Sequence, residues 1–424
     1  MTTGSFTPRQ VEPHWKELES IVPGSDISIG DSPDAIDGIV PSRVIRPTTE
    51  AQISEILKWA VTSGAKVSAR GGGTKLQWGN VPVGIDLALS MEKFRGIVEH
   101  AWEDMTVTVK AGTTVAELQH NLATHGQRLA LDALWPERAT VGGVIATNDS
   151  GSLRFRFGSI RDLILGATVV LSNGTVARSG GKVVKNVAGY DLPKLLTGSL
   201  GTLGVITEAT FRAHPLPQST RTIRFNFKTA ELANQFILAV NDSSLVPTGM
   251  QLRCDESIGP LVDVRFEGVR EGIEAQVGRA RELATQAAFV ESSEDVWKLG
   301  ENIWLEGPKA VVGKFSVLPS VIGSAANAVR KEFSSSRIIV QGTGLGLFRG
   351  ECDSLEQLGS SITALNRTVH QMAGTLVWLD VPLELKRKLD VFGPSRDAYP
   401  LMVRIKQRFD PHGVLNPGRF GGGI

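Results

Sequence analysis

Apolar positions recur along this chain with two periods, and the change between them divides it. Behind Thr49-Glu50-Ala51-Gln52, residues Ile53, Ile56, Leu57, Ala60 and Val61 fall three and four apart. That spacing lines one face of a helix. Thr49 and Gln52 form a capping box at its start, and Gly64 supplies its stop. Val44-Ile45 and residues 67–69 flank this helix as short β-prone runs. The order strand, helix, strand, loop is a βαβ unit. Residues 85–89 and 96–99 read as strands. Thr106–Lys110 alternates Val107 and Val109 with polar neighbours, which suits a half-buried strand. Thr114-Val115-Ala116-Glu117 opens a second helix, to about Thr124, before Gly126. A strand over 166–171 leads into the hairpin turn Ser172-Asn173-Gly174. A short helix lies near Leu192–Leu196, and Val205–Arg212 alternates again as a strand.

After His214-Pro215-Leu216-Pro217 the texture changes, and glycine thins. The pattern predicts a strand over 221–227, a helix over 229–241, strands over 247–254 and 260–267, and a helix over 270–288. It recurs as a strand over 310–317, a helix over 319–333, strands over 336–342 and 345–351, a helix over 354–373 and a strand over 375–381. Both halves read β-α-β-β-α-β, the split βαβ unit. Cys254-Asp255 and Cys352-Asp353 read as equivalent points of the two copies. The expectation is therefore an α+β chain whose second part is a duplicated ferredoxin-like array on one antiparallel sheet. A polar linker (382–396), a last helix (about 397–409) ended by Asp410-Pro411, and the tail PHGVLNPGRF complete it.

The chain has 424 residues, for which two domains are the default. Lys+Arg 45 against Asp+Glu 44 gives a net charge of +1, which speaks against nucleic acid or an anionic membrane as partner. Two cysteines and no C-x-x-C fit a reducing compartment and exclude a cysteine-ligated metal or cluster. The N-terminus has no basic and apolar leader pattern, and no apolar run reaches spanning length. These features predict a cytoplasmic protein with no direct membrane insertion. The histidines, such as His100, His120, His125, His214, His370 and His412, show no paired ligand spacing, so no metal site is expected.

Candidate chemistry lies in the glycines. RGGGTKLQWGN places Gly71, Gly72 and Gly73 between a strand and Thr74-Lys75. Successive glycines can aim their N–H groups into one concavity, an anion nest suited to a phosphate or pyrophosphate. A flexible surface loop is the competing explanation, and the motif is not a Walker A loop. In ATVGGVIATNDSG, residues 139–151, small residues dominate. Either this stretch packs tightly in a turn-rich core, or its backbone lies against a flat ligand. Lys182 and Lys185 read as solvated surface charges.

The stretches RGGGTKLQWGN, ATVGGVIATNDSGSLRFRFGSIRDLILG, KNVAGYDLPKLLTGSLGTLGVITE and FDPHGVLNPGRF, in this order and spacing, resemble the flavoproteins of the vanillyl-alcohol oxidase / p-cresol methylhydroxylase fold. Within that family the chain is most similar to the E-type FAD-binding subunits of glycolate oxidase complexes. The resemblance implies a PCMH-type FAD-binding domain over 38–217, a ferredoxin-like α+β cap domain over 218–385, and a helix and tail over 386–424 returning to the first domain. It implies that Gly71, Gly72, Gly73 and Thr74, with Arg70 beside them, hold the FAD pyrophosphate through backbone N–H groups. Thr140, Gly142 and Gly143 would lie along the ribityl and pyrophosphate. Ser150, Gly151 and Gly158 would line the isoalloxazine region, Ile206 would meet a flavin or adenine edge through its main chain, and Asn416 would reach the flavin. Arg419 would anchor the returning tail. Gly72→Val is expected to release FAD by blocking both the backbone angle and the phosphate.

Two departures from the family pattern shape the expected function. Covalently flavinylated relatives carry a histidine after the glycine run; Thr74 stands here, so the FAD would be non-covalent. Catalytic 2-hydroxy-acid dehydrogenases of the family carry a histidine- and aspartate-bearing segment in the second domain. Gln341-Gly342-Thr343-Gly344-Leu345-Gly346-Leu347 stands in its place, with neither. The expectation is a flavin subunit working beside a paralogous catalytic FAD subunit and an iron–sulfur subunit on a small 2-hydroxy acid. It would be peripheral to the inner membrane through those partners. The alternative is a self-sufficient dehydrogenase for D-lactate or glycolate, with an unrecognised base and with Arg349, Arg396 or Arg419 holding the carboxylate.

Overall fold

A computed structural model describes residues 15–424 except 182–189, 256–258, 286, 305–306, 308 and 395–396. Lys182, Lys185 and Arg396 therefore lie outside the described residues.

Two small sheets build the N-terminal half. In the first, strands Ile27–Ile29, Arg43–Ile45, Leu87–Ser90 and Val67–Arg70 lie side by side in that order. Arg43–Ile45 and Val67–Arg70 both pair in parallel with Leu87–Ser90. The crossover is the helix Glu50–Ser63, whose Ile53, Ile56, Leu57 and Ala60 are buried. Thr49 Oγ1 accepts the Gln52 N–H, Gln52 Oε1 accepts the Thr49 N–H, and Gly64 closes the helix at φ 74°. The second sheet is antiparallel and orders Ile97–Ala101, Thr106–Lys110, Val205–Arg212, Ile164–Val170 and Val176–Gly180.

The small-residue stretch is more regular than the turn-rich core that is one expectation for it. Val141–Thr147 is a helix. Glycine and valine are poor helix formers, but Thr140 caps the first turn, and Val144 and Ile145 are completely buried in the core of the second sheet. Packing overrides propensity here.

The second half is one eight-stranded antiparallel sheet made of two β-α-β-β-α-β copies. Read inwards from one edge, the first copy runs Ala288–Ser292, Ser219–Asn226, Leu261–Gly268, Gly249–Cys254. From the other edge the second runs Thr375–Asp380, Ala310–Ser316, Leu345–Glu351, Ser335–Gln341. The copies join where Gln251 faces Gln341 and Cys254 faces Ile338. Four helices cover one face around Phe236, Val277, Val329 and Leu365. Two readings need correction. The helix predicted over 270–288 ends at Leu283, and the last residue of that range, Ala288, begins the exposed edge strand Ala288–Ser292. The cysteines are not equivalent either. Cys254 ends the second strand of its copy, whereas Cys352 follows the third strand of the other. Both thiols are free and buried.

The tail adds itself to the first sheet. The Val67 N–H donates to Val414 O at 2.8 Å, and the Asn416 N–H donates to Val67 O at 3.0 Å. Val414 and Leu415 are each 1% exposed.

Candidate functional site

Strand Val67–Arg70 delivers the glycine run to the mouth of a cleft of about 860 Å³. Arg70 lines it and is tied to Asp34 by an ion pair of 2.5 Å. Beyond it the main-chain N–H groups of Gly71, Gly72, Gly73 and Thr74 donate to no acceptor among the described residues. Four consecutive donors left free at a cleft wall form an anion nest. Only Gly73 needs the left-handed region, at φ 72°. Gly72 does not, so the backbone-angle reason expected for Gly72→Val falls away. The reason for glycine at 71 and 72 is close approach. A Cβ at Gly71 would lie 1.9 Å from Thr140 Oγ1, and one at Gly72 would lie 1.8 Å from Arg138 O.

Thr140, Gly142 and Gly143 form the facing wall. The N–H groups of the two glycines are not free in the same way. Gly142 donates to Ala111 O at 2.8 Å and Gly143 to Thr140 Oγ1 at 3.3 Å. What they supply is a smooth surface. Ile206 lines the same cleft, beside a slip of strand register between Ile206 and Glu208. Asn416 closes the far side at φ 43°. Its Nδ2 donates to Leu200 O at 2.8 Å, while its buried Oδ1 has no donor.

Ser150 and Gly151 open on a second cavity of about 1,210 Å³, between the N-terminal half and the uncovered face of the large sheet. Ser150 Oγ accepts the Ile160 N–H at 3.0 Å, and a Cβ at Gly151 would strike Asp132 O at 2.3 Å. Gly158 lines neither cavity. It makes a turn at φ 82° against Asp162. The structure thus brings ten of the expected residues to one cleft and two to its neighbour.

Several charged groups around the second cavity carry no sequence signal, because each comes from a different element. Asp132 is half-buried and accepts from Ser152 Oγ at 2.6 Å, Ser152 N at 2.8 Å and Leu153 N at 3.1 Å. Burial raises its pKa, against the nearby Arg265. Asp149 accepts the Leu134 N–H at 2.9 Å and pairs with Lys75 at 3.2 Å. The Lys75 amine also lies 5.3 Å from the Trp135 ring centre. From the large sheet comes Lys314, whose amine reaches, among the described residues, only Asn148 O, at 3.4 Å. Burial lowers its pKa to about 8. Gln341, Leu345, Gly346 and Leu347 line the cavity too, and Gly344 turns their hairpin at φ 90°.

The arginines named for a carboxylate are engaged elsewhere. Arg349 lines neither cavity and bonds Glu351 at 2.7 Å. Arg419 is 4% exposed. It donates to Asp37 Oδ2 at 3.2 Å, Asn80 O at 2.8 Å, Leu76 O at 2.6 Å and to Trp78 O. It pins the tail to the loop after the glycine run. Among the described residues no cluster of His, Cys, Asp and Glu could hold a metal, and no helix is long and apolar enough to cross a membrane.

Comparison with known proteins matches residues 41–180 to the family described as FAD binding domain. Residues 394–420 match the C-terminal domain of FAD linked oxidases. p-Cresol methylhydroxylase superposes with a TM-score of 0.79 over 98% of this chain and 97% of its own, at 15% identity. The chain is a flavoprotein of the PCMH-type FAD-binding fold. The glycolate oxidase subunit GlcD of Bacillus subtilis is 25% identical to this flavoprotein over 417 residues, covering 90% of this chain and 89% of its own. The glycolate oxidase subunit GlcE of Escherichia coli is 27% identical over 337 residues, covering 78% and 86%. The flavoprotein is thus an FAD-dependent oxidoreductase, similar at low identity to these glycolate oxidase subunits. The residues present fit FAD: free N–H donors suit a pyrophosphate, and the lone Asn416 Oδ1 suits a donor on the cofactor.

Proposed function

We propose that this flavoprotein is the FAD-binding subunit of a glycolate-oxidase-type complex that oxidises a small 2-hydroxy acid. Its partners would be a paralogous catalytic FAD subunit and an iron–sulfur subunit, with the assembly cytoplasmic and peripheral to the inner membrane. One observation carries the reading: beside the glycine cleft lies a cavity whose 341–347 wall holds a glutamine and leucines, where the family resemblance would put a histidine and an acid in a catalytic member. In this reading Gly71 to Thr74 bind the pyrophosphate through N–H groups. Thr140, Gly142 and Gly143 give the ribityl chain a flat wall, and Ser150 and Gly151 border the isoalloxazine. Ile206 and Asn416 meet the cofactor from the opposite side. FAD, when bound, would supply two-electron redox chemistry to the complex. The protein orients it and excludes water from the cavity beside it.

Thr74 in the position of a flavinylated histidine supports non-covalent attachment. Acid or heat denaturation is expected to release free FAD; flavin that stays on the precipitated polypeptide would refute this. Dye reduction is the test of the subunit role, measured with the isolated chain, with its candidate partners, and with partners alone. The isolated chain is expected to turn over glycolate and D-lactate negligibly. A rate of ~1 s⁻¹ or more, an ordinary enzyme rate, would instead support a self-sufficient dehydrogenase. One observation favours that second reading: Lys314 places an amine in the cavity.

A further inference from the structure

We propose that the second cavity binds a small monocarboxylate and that Lys314 is the cation that receives its carboxylate. This rests on the second reading above, in which the cavity of this chain takes a small 2-hydroxy acid. The register of the large sheet carries it. Lys314 pairs directly with Leu347 on the neighbouring strand. Residues directly opposite in an antiparallel pair share one face of the sheet. The wall that lacks charge along 341–347 therefore gains a charge from the next strand over, on the same face.

The surroundings of the amine point to a missing anion. Lys314 is half-buried, and part of its surface borders the cavity. Among the described residues no carboxylate lies within ion-pair distance of it, and its one hydrogen bond is to Asn148 O. An ammonium holds three donors, and where packing withdraws it from water they need acceptors. Asp149, the nearest acid in electrostatic effect, is already engaged by Lys75 and the Leu134 N–H. Asp132 is saturated by Ser152 and Leu153. Glu301 accepts the Trp135 N–H at 2.8 Å. The remaining charges around the cavity are cations, namely Lys75, Lys298, Arg154 and Arg265. Two further lining residues keep a buried polar atom without a partner: the indole N–H of Trp78 and Oε1 of Gln341. A donor and an acceptor left over beside an unpaired ammonium match a hydroxy acid, which brings both an acceptor carboxylate and a donor hydroxyl.

The site should depend on pH through Lys314. Burial has pulled its pKa down to about 8. The amine is charged below that value and neutral above it, whereas a carboxylate ligand stays ionised throughout.

Isothermal titration of the FAD-loaded protein with glycolate, D-lactate, propionate and uncharged glycolamide tests this. Glycolate is expected to bind at least tenfold more tightly than glycolamide. Lys314→Met is expected to lose tenfold or more of the glycolate affinity, with flavin content retained and melting temperature not lowered. Lys314→Arg keeps a permanent charge, so it should restore binding and keep it from pH 7 to 10, where the wild type weakens. Equal binding of glycolate by the wild type and Lys314→Met would overturn the proposal, and so would equal binding of glycolamide and glycolate. Failure of every carboxylate to bind overturns it as well, and leaves the subunit reading to dye reduction. Binding of propionate alone, lost in Lys314→Met, keeps the carboxylate site and removes the hydroxy-acid reading.

Discussion

Replacing Gly72 by alanine adds one methyl group where two loops touch. The new Cβ would sit 1.8 Å from Arg138 O, whereas ordinary contact begins near 3.4 Å. The carbonyl must retreat by the difference, about 1.6 Å. It has little freedom to do so. Arg138 and Ala139 both donate to Trp135 O, at 3.0 and 2.7 Å, and Ala139 O accepts the Val115 N–H at 2.9 Å. Such overpacking costs about 1–3 kcal/mol. Thr140, two residues on, faces Gly71 across the cleft, so the same displacement widens the cradle. Flavin binding then falls along with folding. A ligand present at 100 times its Kd stabilises by ~2.7 kcal/mol, and that contribution disappears with the flavin. Gly72→Ala should therefore lose most of its FAD and melt lower than wild type. Its apoprotein should melt only modestly below wild-type apoprotein. Gly84→Ala, with open space around the added Cβ, is the matched control. The assay is the ratio of flavin to protein absorbance, with thermal melts of loaded and stripped samples. Wild-type flavin content together with a wild-type melt in Gly72→Ala would refute the close-approach argument.

Asp37→Ala should destabilise by about 3–5 kcal/mol in chemical denaturation, because it strips the partner from two buried cations; Lys386 lies 2.8 Å and Arg419 3.2 Å from its carboxylate. Lys314→Met should be more stable than wild type at pH 7, by ~1–2 kcal/mol after allowance for the cavity beside the amine. The native pKa of Lys314, about 8, lies below the unfolded value of 10.5, so the unfolded state binds more protons between them. Wild-type stability should accordingly rise over that window and close the gap, which denaturant midpoints at pH 7 and above pH 10 would reveal. Truncation after Asp410 removes the two backbone bonds to Val67 and the buried Val414 and Leu415. It should lower both flavin content and melting temperature, and unchanged values would show the tail to be an ordinary turn.

Local chemistry was legible wherever neighbours in sequence do the work. Thr49 and Gln52 close their own helix turn. Asn173-Gly174 turns its own hairpin, and the period-two runs of the second half become its strands. Gly71 to Thr74 could be read as a nest because successive N–H groups converge without help from elsewhere. Tertiary contact decided the rest. Val141–Thr147 became a helix because the core accepts Val144 and Ile145. Ala288–Ser292 became a strand because Ser219–Asn226 offered it an edge. The second cavity draws Asp132, Ser150, Trp297, Lys314 and Gln341 from segments up to some two hundred residues apart. Lys314 looks in sequence like any lysine in an alternating strand. Its meaning arises only when cross-strand pairing with Leu347 sets it at a cavity and burial leaves its amine with one distant carbonyl. Hydrogen bonds between neighbours are fixed by short-range geometry, whereas burial and unpaired charge are properties of the whole packed chain.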